Sequence, residues 1–169
     1  MAFQREARNP RVHVAVAKET GVPLTVVQDA IRLRQAANDE AKRQRDDNLR
    51  WDEVWGVFDV DDHPNLAQAI NLAADNEVEV AISNPCFELW ALLHFQDQRA
   101  HIERAKLRQA LQRHLPGYDK TLDFARMHPG YPEALRRAAE LGREADRAGD
   151  PGRNPTTGVP RLTASICRE

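Results

Sequence analysis

The sequence predicts an α/β fold with a small, mostly parallel sheet and a C-terminal half that is all helical. Two apolar segments rich in β-branched residues, 54–58 and 78–82, flank a segment whose apolar residues recur at helical spacing, 65–76. A strand, a helix and a strand within about 30 residues form a βαβ unit, so the two strands should run parallel. Beyond residue 96 the apolar residues recur at helical spacing.

The length of 169 residues favours a single domain. We divide it into an α/β core over 12–95 and a helical extension over 96–169. Two cysteines are few enough to fit a reducing compartment, and no apolar run approaches the ~18 residues of a membrane span. The N-terminus is charged and lacks the apolar stretch of a secretory signal. We therefore predict a cytoplasmic protein that does not bind membranes.

Turn residues and apolar spacing define the elements in order. Pro23 follows a Gly-Val turn and suits the first turn of a helix, as does Pro85, with Ser83 or Asn84 as the cap. The helix after Pro85 is apolar almost all round and should be deeply buried. The predicted elements are a strand at 12–17, a helix at 23–45, a strand at 54–58, a helix at 65–76, a strand at 78–82, and helices at 85–95, 101–115, 131–148 and 161–167.

Charge is distributed unevenly along the chain. Residues 51–98 contain ten Asp and Glu and no Lys or Arg, whereas residues 1–50 carry a net charge of +3 and residues 99–169 a net charge of +5. A carboxylate-rich centre between basic flanks favours a cation site beside an anionic substrate, such as a nucleic acid.

Three carboxylates are candidate metal ligands. Asp59 and Asp61 follow the strand at 54–58 and point to the same side if the strand continues through them. Two such carboxylates suit Mg²⁺ or Mn²⁺, although acids after a strand can also be turn residues or helix caps. Glu88 begins a largely apolar helix, where a carboxylate must be paired, protonated or metal-bound, or must interact with the helix N-terminus.

Each of the other polar residues considered as part of the site has two interpretations. Cys86 is either a nucleophile activated by the helix start or a small buried residue. Asn84 either orients a substrate or carboxylate or caps the helix. Tyr118 and Lys120 either reach a phosphate or form a solvated turn. The basic helix at 101–115 presents either an ordinary solvated face or a nucleic-acid surface.

Five segments resemble the RloB family of bacterial and archaeal proteins, which are encoded near restriction–modification loci, often beside an ATPase. The resemblance covers about residues 12–167. The segments are Phe58-Asp59-Val60-Asp61-Asp62-His63, Ser83-Asn84-Pro85-Cys86-Phe87-Glu88-Leu89-Trp90, Leu92-Leu93-His94-Phe95, Gly117-Tyr118-Asp119-Lys120 and Asn154-Pro155-Thr156-Thr157-Gly158-Val159.

The resemblance implies a Toprim-like three-layer fold. It also implies Mg²⁺-dependent cleavage of nucleic acid in phage defence, abortive infection or a restriction-linked system, with a partner ATPase. On this resemblance Asp59 and Asp61 match the Asp-x-Asp metal ligands of Toprim domains. Glu88 falls in the signature helix of the family and is expected to assist them as a ligand and catalytic residue.

One part of the family pattern is missing. RloB proteins usually begin with a strand that ends in a Glu-Gly-x-x-Thr-Glu loop, and residues 1–11 supply no such glutamate. Glu19 is a candidate substitute, and we expect that the chain lacks the first strand of the family. A sheet neighbour left uncovered could then pair with another chain and form an oligomer. The alternative function is a catalytically incomplete subunit that binds a partner ATPase and regulates it.

Overall fold

A computed structural model of the protein describes residues 22–60, 65–119 and 121–167. The chain divides into two compact units, with the boundary between Ala81 and Ile82. The helices and strands of the described residues are α1 (Pro23–Gln44), β1 (Trp55–Asp59), α2 (Leu66–Asp75), β2 (Glu79–Asn84), α3 (Glu88–Leu93), α4 (Arg104–His114), α5 (Phe124–Met127), α6 (Tyr131–Arg147), β3 (Thr156–Thr157) and α7 (Val159–Ile166), with 3₁₀ turns at Asp47–Leu49 and His128–Gly130.

The first unit, which ends at Ala81, contains the predicted βαβ arrangement. The backbone N–H of Glu79, where β2 begins, donates to the carbonyl of Val54, just before β1, at 2.9 Å. Because the two strand starts are neighbours, β1 and β2 run parallel, and this prediction is confirmed. The predicted strand at 12–17 and Glu19 lie outside the described residues.

Strand β1 is buried on one face rather than on both. Gly56 and Phe58 are buried, but the side chain of Val57 between them is 41% exposed. Val57 is exposed because alternate side chains point to opposite faces of the sheet. Helix α1 packs against β1 and α2, and its Arg34 guanidinium donates to the carbonyl of Asn76 at 3.2 Å.

The second unit, which begins at Ile82, contains a strand that the sequence did not predict. Thr156–Thr157 form β3, which pairs antiparallel with β2 through Ser83 opposite Thr157 and Asn84 opposite Thr156. The strand order is β1-β2-β3. The described sheet is therefore mixed rather than mostly parallel, and the C-terminal half is not all helical. A strand of two residues is too short to show an alternating pattern in the sequence. Thr156 and Thr157 are extended because β2 supplies their hydrogen-bond partners.

Helix α3 forms the centre of the second unit. Leu89, Leu92 and Leu93 are fully buried, and they pack with residues of α4 and α6. This confirms the predicted deep burial of the helix. The helix begins only at Glu88, after Phe87, and no side chain caps it. The expectation that Ser83 or Asn84 caps it is wrong, because both residues belong to β2.

Helix α6 approaches the end of α3 so closely that only glycine fits at the contact. A Cβ atom built on Gly130 would lie 2.8 Å from the carbonyl carbon of His94, and closer still to its oxygen. About two turns further along the chain, on α6, Arg137 donates from Nη1 to the carbonyl of Leu93 at 2.6 Å. The guanidinium thus satisfies a carbonyl at the C-terminal end of α3, which the helix itself leaves without a partner.

Most predicted helices are confirmed, with ends that lie within a few residues of the predicted ones. Helices α1, α2, α4 and α6 match the predicted segments, with bounds that differ by at most a few positions. None of the helices in the described ranges is both long enough and apolar enough to cross a bilayer. The single-domain division into 12–95 and 96–169 stays a prediction.

Candidate functional site

In the second unit, side chains from separate segments of the chain surround the carboxylate of Glu88. Glu88 is the first residue of α3, and its side chain is only 16% exposed. The thiol of Cys86 and the phenol of Tyr118 donate hydrogen bonds to its carboxylate. Nη2 of Arg108, on α4, lies 4.0 Å from its Oε1. We refer to Glu88, Cys86, Tyr118 and Arg108 as the Glu88 cluster.

Tyr118 reaches Glu88 because the chain turns sharply after α4. Helix α4 ends at His114, and Gly117 adopts a φ of +80°, which a glycine tolerates without strain. The backbone N–H of Tyr118 donates to the carbonyl of Leu115 at 3.0 Å. The Tyr118 ring is 8% exposed and packs in a small apolar cluster with Leu111. The turn and this packing direct the phenol toward Glu88.

The cluster keeps Glu88 ionised. Burial by itself would raise the pKa of Glu88, but hydrogen bonds from the Cys86 thiol, its own backbone N–H and the Tyr118 phenol, together with the charge of Arg108, lower it below the usual range. Burial and the Glu88 charge raise the pKa of Tyr118 to about 12. At neutral pH an ionised carboxylate therefore accepts a hydrogen bond from a neutral phenol. Such a carboxylate can bind a cation but is a poor general acid.

Cys86 supplies one of the hydrogen bonds to the carboxylate in the Glu88 cluster. Its side chain is 4% exposed, it forms no disulfide, and its thiol donates to Glu88. This environment matches the interpretation of Cys86 as a small buried residue rather than a nucleophile.

The predicted site residues are distributed over both units. Asp59 is the last residue of β1 in the first unit and is half-buried. Asp61 and Lys120 lie outside the described residues. Glu88 and Tyr118 are in contact, whereas Tyr118 was predicted to contact the substrate. A metal ion shared by Asp59, Asp61 and Glu88 stays a prediction, and within 22–60, 65–119 and 121–167 no three His, Cys, Asp or Glu side chains form a metal-binding group.

Asn84 contacts the protein itself. Its Nδ2 donates to the carbonyl of Gly152 at 2.9 Å. Nearby, the hydroxyls of Ser83 and Thr157 are 2.8 Å apart, and the side chain of Asn154 both accepts from the N–H and donates to the carbonyl of Ile102. These bonds attach the segment around β3 to β2 and to the start of the α4 region. The role of Asn84 in substrate binding stays a prediction.

Arg108 and Cys86 were not predicted as partners of Glu88. Arg108 lies twenty residues after Glu88 and is one of several cations on α4, so its position carries no distinguishing signal. Cys86 is only two residues from Glu88, and the sequence therefore already showed a hydrogen-bond donor close to a predicted buried acid. Buried carboxylates need hydrogen-bond partners, and the nearest donors in the chain are the first candidates.

Removal of the Tyr118 hydroxyl is expected to cost more stability at neutral pH than in acid. Tyr118→Phe removes a hydrogen bond to a charged group, so the free energy of unfolding should fall by about 2 kcal/mol near pH 7. The pKa of Glu88 is lower in the folded state than its ordinary value of 4.5. Its ionic contribution is therefore present above pH 4.5 and is lost as the pH falls through the folded-state pKa. When urea unfolding is repeated at progressively lower pH, the loss should fall to about 1 kcal/mol once Glu88 is protonated in the folded state.

A second tyrosine provides the control for this measurement. The Tyr131 hydroxyl donates to Oγ1 of Thr163 at 3.0 Å, and neither group is charged. Tyr131→Phe should therefore cost about 1 kcal/mol across this pH range. If the cost of Tyr118→Phe is also independent of pH down to the acid unfolding of the protein, the hydrogen bond to ionised Glu88 is contradicted.

A comparison with known proteins identifies one family. The family model described as RloB-like protein matches residues 2–166, nearly the whole chain. This confirms the family identified from the five segments. No curated protein and no solved structure is significantly similar to the chain. The observed fold is mixed α/β, and the finer description of a Toprim-like three-layer fold stays a prediction.

Proposed function

The chain belongs to the family of RloB-like proteins, and from this premise we propose that it is a metal-dependent enzyme that cleaves nucleic acids. The observation that carries the proposal is the Glu88 cluster. A carboxylate that is 16% exposed stays ionised because neighbouring side chains support its charge. Ionised carboxylates beside basic surfaces are typical of sites that hold a divalent cation near a phosphate.

Asp59 and Asp61 are the proposed ligands of the cation. The donor chemistry fits, because carboxylate oxygens are the preferred ligands of Mg²⁺ and Mn²⁺. Asp59 ends β1, the first strand of the βαβ unit, and open α/β sheets bind ligands at the carboxyl ends of their strands. A bound Mg²⁺ would polarise a phosphodiester and lower the pKa of a bound water.

Glu88 has a separate proposed role. The Tyr118 phenol and the Cys86 thiol hold its carboxylate in one orientation, and its lowered pKa keeps the carboxylate ionised near neutral pH. It can therefore accept a hydrogen bond or support a positive charge, but it does not protonate a leaving group. Action in phage defence or a restriction-linked system, with a partner ATPase, is proposed on the family resemblance alone.

The direct test is cleavage of nucleic acid by the full chain. Duplex DNA, single-stranded DNA and RNA are incubated with the protein in the presence of Mg²⁺, Mn²⁺ or a chelator. Asp59→Asn combined with Asp61→Asn should lower a metal-dependent cleavage rate by at least about 100-fold. Asp52→Asn combined with Asp75→Asn makes the same charge change at exposed positions of the first unit and should leave the rate unchanged. Equal rates for both double variants would contradict the proposal.

A second candidate function is that of a binding or regulatory subunit for a partner ATPase. The observation that favours it is that Glu88 already has three partners within the chain, as a purely structural carboxylate would. Glu88→Gln tests whether Glu88 contributes to cleavage, and cleavage by the wild-type chain separates the two candidates. If the rate of cleavage is unaffected when the protein remains folded, Glu88 is structural. If no metal or substrate condition supports cleavage by the wild-type chain, the subunit interpretation is favoured.

A further inference from the structure

Arg153 is a half-buried cation whose guanidinium makes no hydrogen bond or ion pair within the part of the chain that the structure describes. Two other arginines of this part, Arg34 and Arg137, are also half-buried. Arg34 donates to the carbonyl of Asn76 at 3.2 Å, and Arg137 donates to the carbonyl of Leu93 at 2.6 Å. A guanidinium has five N–H donors, and moving them out of water without partners costs free energy. An anion bound from solution would supply such a partner to Arg153.

Hydrogen bonds on both sides of Arg153 hold its backbone in place. Its N–H donates to the carbonyl of Asp150 at 3.2 Å, and its carbonyl accepts from Oγ1 of Thr156 at 2.8 Å. The next residue, Asn154, accepts from the N–H of Ile102 at 3.0 Å and donates to its carbonyl at 2.9 Å. Arg153 is therefore a cation on a fixed segment, and a ligand that binds it does not have to order the backbone first.

The segment that carries Arg153 is attached to the carboxyl end of β2, close to the Glu88 cluster. Asn84, the last residue of β2, donates to the carbonyl of Gly152, the residue before Arg153, at 2.9 Å. Two residues after Asn84, the Cys86 thiol donates to the Glu88 carboxylate. Consecutive Cα atoms are about 3.8 Å apart, so these two points of attachment are separated by no more than about 8 Å. Open α/β sheets bind their ligands at this end of their strands.

We propose that Arg153 binds a phosphate group of a nucleic-acid backbone at the carboxyl end of β2. A guanidinium presents its donors in a planar fork that matches two phosphate oxygens. The Glu88 cluster starts from the same short segment after β2, so the bound phosphate would lie on the side of the unit where the proposed function places a catalytic carboxylate. The inference rests on that proposed function for the choice of a nucleic acid, and it adds a substrate-binding residue.

The test is binding of labelled nucleic acids to the full chain, measured by fluorescence anisotropy with a chelator present so that no cleavage occurs. The probes are a DNA duplex of about 20 base pairs, the corresponding single strand and the corresponding RNA duplex, each over a series of salt concentrations. For the probe that the wild type binds most tightly, Arg153→Ala should weaken binding at least about tenfold and reduce the salt slope by about 1. Arg153→Lys keeps the charge but not the planar fork, so it should weaken binding about threefold and leave the salt slope unchanged.

A purely structural role for Arg153 predicts a different result. A long side chain can cover apolar surface with its stem while its charged end stays in water. In that case Arg153→Met, which keeps a long apolar side chain, would bind the probe as tightly as the wild type does, and this result would overturn the proposal. If Arg153 binds a phosphate, Arg153→Met should weaken binding as much as Arg153→Ala, and it also provides the test if the alanine variant does not fold.

Arg147→Ala is the matched control. Arg147 is the last residue of α6 and is exposed, so this variant removes the same charge from the same unit and should weaken binding less than about twofold. Equal effects of Arg147→Ala and Arg153→Ala, or an unchanged salt slope in Arg153→Ala, would overturn the proposal. No binding of any probe by the wild type would overturn it as well.

The binding and cleavage assays separate this inference from the proposed function. If the wild type cleaves nucleic acid but Arg153→Ala binds the probe as well as the wild type does, only the binding role of Arg153 is wrong. If binding depends on Arg153 but no metal condition supports cleavage, the proposed enzyme is wrong and the phosphate-binding role is retained.

Discussion

Replacement of Gly130 by alanine is expected to lower the free energy of unfolding by about 3 kcal/mol or more. The added Cβ would lie 2.8 Å from the carbonyl carbon of His94, well inside van der Waals contact. The Cβ is fixed directly to the backbone and the atoms that it meets are backbone atoms of His94, so no flexible side chain can move to relieve the contact. The end of α3 and the start of α6 would have to separate, which would disturb the packing around the fully buried Leu93. Urea unfolding followed by circular dichroism measures the loss.

Gly142 is the matched control for this substitution. It lies within α6, and apart from the backbone of that helix no atom of the described residues lies within 4 Å of a Cβ built at this position. Gly142→Ala should therefore stabilise the protein by as much as about 1 kcal/mol, because alanine has a higher helix propensity than glycine. If Gly130→Ala is as stable as the wild type, the close approach of α6 to His94 is wrong.

Divalent cations are expected to raise the thermal unfolding midpoint of the wild-type chain but not of the Asp59→Asn, Asp61→Asn double variant. A ligand that binds only the folded state adds about 2.7 kcal/mol of stability at a concentration 100 times its dissociation constant. For a chain of this size, that corresponds to a rise of about 5–10 °C. Differential scanning fluorimetry over a range of Mg²⁺ and Mn²⁺ concentrations measures the shift.

The control for this shift is the Asp52→Asn, Asp75→Asn variant, which should retain the full rise. It separates a specific site from general screening of negative charge, since both double variants lose two carboxylates from the first unit. The same rise in all three proteins would contradict the assignment of the metal to Asp59 and Asp61. No rise in the wild type at high metal concentration would favour the regulatory subunit over the enzyme.

Local patterns predicted the longer elements well. Helices α1, α4 and α6 were identified from apolar residues at helical spacing, and α1 and α6 also have a proline in the first turn. The parallel pairing of β1 and β2 followed from their connection through a helix. Each of these signals lies within a span of a few turns or one βαβ unit, so it can be read without knowing the rest of the fold.

The sequence by itself determined the longer helices, the βαβ unit, the identity of Glu88 as a buried helix-start acid and the family to which the chain belongs. Only the tertiary structure decided that Thr156–Thr157 form a strand, that α3 begins as late as Glu88, and that Tyr118 and Arg108 converge on that carboxylate. These features depend on partners that lie twenty to more than seventy residues away in the chain. The hydrogen bonds and ion pairs that define these features form only after packing has brought the segments together, and no local spacing encodes them.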